Sequence, residues 1–311
     1  MEKAKNALNE AEQIIREDPA TRSTIQNIRN SVEESAMVVV LGQPQVGKTS
    51  CVRQAFPDAT FTHADKARQL LDDPSPVVII DEMQTIKEHI WDHLNLIRKL
   101  LKRKKIIATA LTLAFETPDR AEFRHYLEDS STTFITKPYF PDRLVKRVAE
   151  TYPLPNPAMV PQITSLLGGQ IHCLLSSCQE PENKSSGIRL NRYQLKQQAM
   201  KSLMFMPEEW IEQLWNLAQN GSDEPQNNIQ LQKLAKYGLV KFYGKGQVQI
   251  RSTFLKLLIC GFKNPKLLHY SANTPSHAFG FWLPRKVDEL INSAQNQPGF
   301  SLIGDREDPA V

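Results

Sequence analysis

Hydrophobic and polar positions fall into distinct regimes along the chain. From Met37 onward, short runs that are apolar at nearly every position, "MVVVL", "PVVII" and "KIIATAL", alternate with stretches whose apolar residues recur at helical spacing, "KTSCVRQAF", "DKARQLLDD" and "TIKEHIWDHLNLIRKLLKRK". Two further runs, "ATFTH" and "STTFIT", also suit strands. Strands without polar alternation are buried on both faces, and helices between them supply the cover, so the pattern predicts a parallel α/β sheet. Upstream, residues 1–35 form two helix-compatible stretches separated at "EDPATRST", where Pro19 and the Ser/Thr residues supply a break and a cap. Those stretches carry too few apolar residues for a core of their own.

After "TKPYFPD" the strands are expected to stop, and "DRLVKRVAETY", "AMVPQITSLL", "GQIHCLLSSC" and "RYQLKQQAMKSLMF" predict a small helical lid, with "QEPENKSSG" a solvated loop. The pattern shifts again at "MPEEWIEQLWNLAQ": a helix, the polar loop "NGSDEPQN", a second helix "NIQLQKLAKYGLV", then "KFYGKGQVQIRST", two short alternating strands around Gly244 and Gly246. That order describes a winged helix. The Pro/Asn/Ser-rich tail suits one helix that packs back on the body. The expected organisation is an N-terminal helical segment over 1–35, an α/β core over 36–145, a lid over 146–205, a winged helix over 206–262 and an extension over 263–311.

Composition narrows the class. The 311 residues are 41% hydrophobic and 23% charged, with a formal net charge of +4. No apolar run approaches the ~18 residues of a membrane span, and the N-terminus lacks the apolar core and cleavage site of a secretory signal. A cytoplasmic protein with no membrane association is the expectation. Cys51, Cys173, Cys178 and Cys260 have neither zinc-knuckle nor CxxC spacing and read as free buried thiols. A mildly basic balance permits a nucleic-acid or acidic-protein partner without demanding one.

The chemistry is densest after the first buried run. Gly42, Gly47, Lys48 and Thr49 match G-x4-G-K-T between an apolar strand and a helix-compatible stretch. Glycines let backbone N–H groups converge on phosphate oxygens, and a helix N-terminus adds partial positive charge. The candidate cradle is Gly42, Gln43, Pro44, Gln45, Val46, Gly47, Lys48, Thr49 and Ser50. Lys48 can reach the β- and γ-phosphates of ATP, and Thr49 can offer its hydroxyl to Mg²⁺. Downstream, "PVVIIDEMQ" places Asp81 and Glu82 at the C-terminal end of a buried strand, where open α/β sheets bind ligands. Asp81 is the expected second contributor to the Mg²⁺ shell, and Glu82 the residue that orients or deprotonates the attacking water.

With these residues in hand, "GQPQVGKTSCVRQAFPDATF" followed by "DDPSPVVIIDEMQ" resembles the bacterial and archaeal AAA-type ATPases of the AAA+/STAND group that carry a "PRQVGKT…IDEIQ" signature, over roughly residues 37–115. The resemblance implies a P-loop NTPase core, Mg²⁺-dependent ATP binding and an ATPase activity. "IIATALT" stands where that family ends a strand in "LTGS" and is closer to origin-recognition-type ATPases, which implies that Thr109 is the polar sensor. Arg120 and Arg124 are the nearby candidates for an arginine finger. In "LLGGQIHCLL", His172 stands where AAA+ enzymes carry a sensor-2 arginine, and no proline follows as in STAND proteins. A slow ATPase or nucleotide-gated switch fits that departure better than a fast motor.

Weaker signals complete the picture. His89 and His93 lie four apart on one predicted helix beside Glu88 and Asp92, but no third metal ligand follows. "RKLLKRKK", residues 98–105, reads first as a solvated helix end whose cations complement the macrodipole, and second as a nucleic-acid or partner surface. In the winged helix, Gln230, Gln232, Lys233 and Lys236, with Lys241, Lys245 and Arg251 near the wing, suit base edges and phosphates, while Asp223 and Glu224 oppose them. Trp210, Trp215 and Phe254 read as its core. The combined expectation is an α/β P-loop NTPase core with a helical lid and a C-terminal winged helix, acting as an ATP·Mg²⁺ switch whose partner is duplex DNA, another protein or a second copy. The competing reading is a non-enzymatic DNA- or protein-binding regulator with structural ATP.

Overall fold

The computed structural model describes residues 2–83, 90–112, 127, 131–151, 159–168, 171, 175, 188–221, 229–242, 247–273 and 300–303. The chain divides into two compact units, Arg16–Pro138 and Met1–Ile15 together with Tyr139–Val311.

In the Arg16–Pro138 unit, strands β1 (Met37–Leu41), β2 (Thr60–His63), β3 (Val77–Asp81), β4 (Lys105–Ala110) and β5 (Thr132–Thr136) form one sheet in the order β2-β3-β4-β1-β5. Every pairing is parallel, as the unbroken apolar runs predict. Central β1 is buried at all its positions, whereas edge strands β2 and β5 are Thr-rich and only half-buried over most of their length. After α1 (Glu2–Glu17), helix α2 (Pro19–Glu34) begins where the sequence shows a break: Asp18 caps it by accepting from the Thr21 N–H at 3.1 Å, and Pro19 opens its first turn. Its Ile28 and Val32 enter the core beside Val38, Val40, Val52, Ile79 and Ile107. Burying a side chain of this size is worth about 1.5–3 kcal/mol. Helix α3 (Lys48–Ala55) packs into the same core, "DKARQLLDD" forms a 3-10 helix over Ala64–Leu71, and α4 (Ile90–Leu101) precedes β4.

The basic run at 98–105 is not uniformly solvated. Lys104 Nζ donates to the carbonyls of Asp73 and, at 2.8 Å, Ser75. Lys105 Nζ donates to those of Val32 and, at 2.9 Å, Glu33. The last carbonyls of a helix lack intrahelical donors, and Lys105 satisfies two at the end of α2.

The second unit contains α5 (Asp142–Glu150), α6 (Met159–Leu167), β6 (Ile188–Asn191), α7 (Arg192–Leu203), α8 (Glu208–Asn220), α9 (Ile229–Lys236), β7 (Val240–Phe242), β8 (Val248–Ile250), α10 (Thr253–Gly261), α11 (Pro265–Asn273) and β9 (Phe300–Ile303). The two strands expected in "KFYGKGQVQIRST" form, β7 with β8 as an antiparallel hairpin, but they are not the only strands after residue 136: β6 and β9 pair in parallel. The "IRLN" and "FSLI" segments are only four residues each, too short for alternation to announce a strand whose partner lies more than a hundred positions away. Trp210 and Phe254 are buried, and half-buried Trp215 donates its indole N–H to the Phe262 carbonyl at 3.3 Å.

Stretches separated in sequence as lid and winged helix are bonded to each other. The Ser252 hydroxyl accepts from the Leu255 N–H, capping α10, and donates to the Leu166 carbonyl of α6 at 2.7 Å. Asp142, at the start of α5, accepts from Lys241 on the hairpin and from Arg251 at 3.3 Å, while Arg251 also donates to the Phe140 carbonyl at 2.8 Å. Gly238, at φ +70°, lies so close to Tyr139 that a Cβ there would fall 1.9 Å from the ring.

Burial pushes the Asp142 carboxyl up, but the Lys241 hydrogen bond and the charges of Arg251 and Lys241 outweigh it and hold the group below the usual carboxylate range. A depressed folded-state value contributes stability above the unfolded value of 3.8, lost as pH falls through the folded value. Asp142→Asn is therefore expected to cost about 1 kcal/mol at pH 7, a figure kept low because the pair is substantially solvated. Thermal unfolding from pH 7 to 3 should show the wild-type advantage shrinking toward the acid end.

Candidate nucleotide site

The loop after β1 is held at both flanks. The Gly42 N–H donates to the Ala110 carbonyl at 3.2 Å, and the Lys137 N–H donates to the Leu41 carbonyl at 2.7 Å. The chain thus leaves β1 between the C-terminal ends of β4 and β5. Gln45 at φ 60° and Gly47 at φ 84° turn the backbone left-handed before α3 begins at Lys48. A Cβ on Gly42 would lie 2.9 Å from the Lys137 carbonyl oxygen and 2.8 Å from Val46 Cγ2, so the close approach requires glycine. No side chain caps α3 at Gly47, which leaves first-turn N–H groups of the helix for the loop's concave side.

Lys48 Nζ donates to the carbonyls of Gly42 at 2.9 Å and Gln43 at 2.8 Å, folding the lysine back over its own loop. Gln43 is buried, and its Nε2 finds no acceptor among the described residues. Pro44 and Val46 are buried, Gln45 and Thr49 half-buried. Ser50 is exposed on α3, its hydroxyl accepting from Gln54 Nε2 at 3.0 Å.

Three elements converge on Asp81. Its Oδ1 accepts from the Thr49 hydroxyl of α3 at 2.9 Å and from the Thr109 hydroxyl of β4. The register explains the second contact: Ile80 is level with Ala108, which sets Asp81 and Thr109 side by side on one face of adjacent strands. Thr109 Oγ1 also accepts from the Glu82 N–H at 3.1 Å. Glu82 is at φ 56°, a conformation that costs a non-glycine residue about 1 kcal/mol or more. The structure thus brings together Thr49, Asp81, Glu82 and Thr109, with Lys48 beside them at the first position of α3.

The donor set fits a Mg²⁺–phosphate group. A hydroxyl and a carboxylate are the hard oxygen ligands that Mg²⁺ takes, while an unsatisfied buried amide N–H₂, a lysine and an uncapped helix start suit an anion. Among the described residues no three or more His, Cys, Asp or Glu side chains are grouped so as to hold a metal ion by themselves. His89, Arg120, Arg124, His172, Asp223, Glu224, Lys245, Cys173, Cys178 and the side chain of His93 lie outside the described residues.

Sequence reading did not single out Lys137, whose backbone bounds the loop. Its side chain is buried, with Nζ 3.5 Å from Thr21 Oγ1. Burial pushes its ammonium below the usual lysine value, against the opposing effects of Cys51 and Asp18. The available signal is "TKP": a residue before proline is restricted to extended backbone, which continues β5 toward the loop.

The Arg16–Pro138 unit has an α/β fold of the P-loop NTPase kind, a parallel sheet with a glycine-bounded loop between β1 and α3. No protein-family model and no curated protein matches the chain. Among solved structures, the chain is similar to a Walker-type ATPase of Pyrococcus abyssi, at 13% identity and TM-score 0.49 over 78% of this chain and 95% of that one. It is similar to the ORC2 protein of Aeropyrum pernix, at 13% identity and TM-score 0.41 over 93% and 94%. It also resembles a STAND protein with a tetratricopeptide repeat sensor from Pyrococcus horikoshii, at 17% identity and TM-score 0.37, covering 88% of this chain but only 48% of that protein.

Gly42→Ala tests the loop geometry without nucleotide. Overpacking against a backbone carbonyl is expected to destabilise the protein by about 1–3 kcal/mol, measured by denaturant unfolding. Gly221→Ala, whose Cβ meets nothing within 4 Å though its φ is +70°, measures the cost of left-handed backbone alone.

Proposed function

We propose that the protein is a Mg²⁺-dependent ATP-binding switch of AAA+/STAND type that hydrolyses ATP slowly. The observation that carries the reading is the convergence of Thr49, Asp81, Thr109 and Glu82 beside the Lys48 loop. Lys48 would hold the β- and γ-phosphates, exchanging two loop carbonyls for phosphate oxygens. Thr49 and Asp81 would hold Mg²⁺, which when bound screens phosphate charge and supplies Lewis acidity. Glu82 would orient or deprotonate the attacking water, and Thr109 would register the γ-phosphate while fixing the Glu82 backbone. Gln43, Pro44, Gln45, Val46, Gly47 and Ser50 would complete the cradle through the loop and the first turn of α3.

The output on this reading is a change in assembly with a partner protein, a second copy or duplex DNA. The helix–helix–hairpin of α8, α9, β7 and β8 would act as a winged helix. The domain plan is the one read from sequence: helical segment 1–35, core 36–145, lid 146–205, winged helix 206–262 and extension 263–311. One observation favours packing over DNA contact for the hairpin: Lys241 and Arg251 are engaged by Asp142, leaving Gln232, Lys233 and Lys236 exposed on α9.

Two substitutions test the assignments. Lys48→Ala should weaken ATP binding about 10- to 100-fold, the worth of a charge-assisted phosphate contact. Glu82→Gln should bind ATP about as well as wild type and lose turnover. Titration with a fluorescent ATP analogue and a phosphate-release assay read the two effects separately. Unchanged affinity in Lys48→Ala would reject the cradle, whereas unchanged turnover in Glu82→Gln would reject only the role of Glu82.

A further inference from the structure

The six cations of the 98–105 run occupy a stretch from His93 to Phe115 that contains no Asp or Glu. The structure sorts them by what they touch. Lys104 and Lys105 are bound to backbone carbonyls of the same unit. Lys99, Lys102 and Arg103 are exposed, and their side chains make no hydrogen bond or ion pair among the described residues.

Fold stability does not account for this arrangement. The macrodipole at the end of α4 amounts to roughly half a negative charge, which one cation offsets. Lys99 and Arg103 lie four apart across the helix end, where like charges repel instead of helping. The neighbouring 3-10 helix carries exposed Lys66 and Arg68 balanced by exposed Asp65 and Asp72, so the excess charge lies on α4 and its following turn.

The surroundings narrow the partner. Leu94, Leu96, Ile97 and Leu100 of α4 are buried, and among the described residues of α4 and its following turn the positions exposed alongside the cations include Asn95 but no apolar side chain. A protein interface draws on a buried apolar or aromatic anchor, and an amphipathic membrane helix on an exposed apolar face. Neither is present among the described residues of α4 and its following turn. Isolated cations on long stems suit phosphate oxygens of a polyanion backbone, which need charge and no sequence-reading geometry. The cations of the helix–helix–hairpin are in a different condition. Lys241 and Arg251 are bound to Asp142, Lys233 lies 5.5 Å from the Trp210 ring, and Lys236 lies 6.0 Å from the Tyr237 ring.

We propose that the C-terminal end of α4, through Lys99, Lys102 and Arg103, is a contact surface for the phosphate backbone of duplex nucleic acid. The surface belongs to the nucleotide-binding unit and does not depend on the hairpin acting as a wing. It goes beyond the ATP reading and can fail separately from it, because its test contains no nucleotide.

Binding of a random-sequence 30-base-pair DNA to the full chain is measured by fluorescence anisotropy between 50 and 200 mM salt. The triple change Lys99→Glu, Lys102→Glu and Arg103→Glu is expected to weaken binding at least about tenfold and to flatten the log–log salt slope by about 2 to 3, one increment for each phosphate that is no longer neutralised. The corresponding Gln triple guards against effects of added negative charge and should flatten the slope to the same degree. Lys233→Glu with Lys236→Glu should leave the slope within about one unit of wild type. Circular dichroism checks that the variants fold. The proposal is overturned if wild type does not bind the duplex at 50 mM salt, if the Gln triple binds with the wild-type slope, or if the α9 pair alone removes the slope. It is equally overturned if the triple abolishes binding to anionic phospholipid vesicles while duplex binding is unchanged.

Discussion

A single carboxylate oxygen organises the Arg16–Pro138 unit. Asp81 is buried at the end of β3, and an ionised group there demands hydrogen-bond donors or it raises the energy of the fold. The donors are hydroxyls from two other elements, Thr49 on the helix after the loop and Thr109 on the intervening strand. Helix α3 is thereby tied to the sheet at the edge from which the loop emerges. The order β3-β4-β1 makes this geometry available: β4 lies between the loop-bearing strand and the acid-bearing strand, so Thr109 reaches Asp81 from the adjacent strand while Thr49 reaches it from the helix after the loop.

The same edge holds the backbone conformations least favoured elsewhere. Gln45, Gly47 and Glu82 all have positive φ, and only one of them is glycine. Such conformations persist where surrounding contacts over-determine them, and those contacts are identifiable. Gly42 is pinned to β4 through the Ala110 carbonyl, and Glu82 N–H is pinned to Thr109. Strain at the mouth rests on the buried strands beneath, where Val38, Val39, Val40, Ile79, Ile106 and Ile107 are almost wholly excluded from water.

That division explains what could be read from the residues alone. Parallel strands buried on both faces must be apolar throughout, so "MVVVL", "PVVII" and "KIIATAL" declare themselves, and the glycines and Asp-Glu pair at their ends follow by position. Roles that depend on which charged residue turns inward leave no such trace. Lys104, Lys105 and Lys137 look like surface lysines, yet each lies against the fold's own polar groups. The same holds for Asp142, whose partners Lys241 and Arg251 lie about a hundred positions away. The β6–β9 pairing is hidden for a related reason, since its information resides in a distant match between two four-residue segments.

Thr109 carries one hydroxyl proton and gives it to Asp81, which leaves its lone pairs to accept from the Glu82 N–H. On the proposed reading this sets the order in which the site can respond. A group drawing on the Asp81 carboxylate competes for the acceptor of the Thr109 proton, and any reorientation of that hydroxyl changes the support of a Glu82 backbone already in a left-handed conformation. Metal binding and the placement of the glutamate are then one equilibrium. A serine at 109 would preserve both hydrogen bonds but relax χ1, since it lacks the β-branch that stiffens threonine. The methyl group of Thr109 is therefore part of the coupling: by restricting χ1 it fixes the position of the oxygen that both hydrogen bonds share.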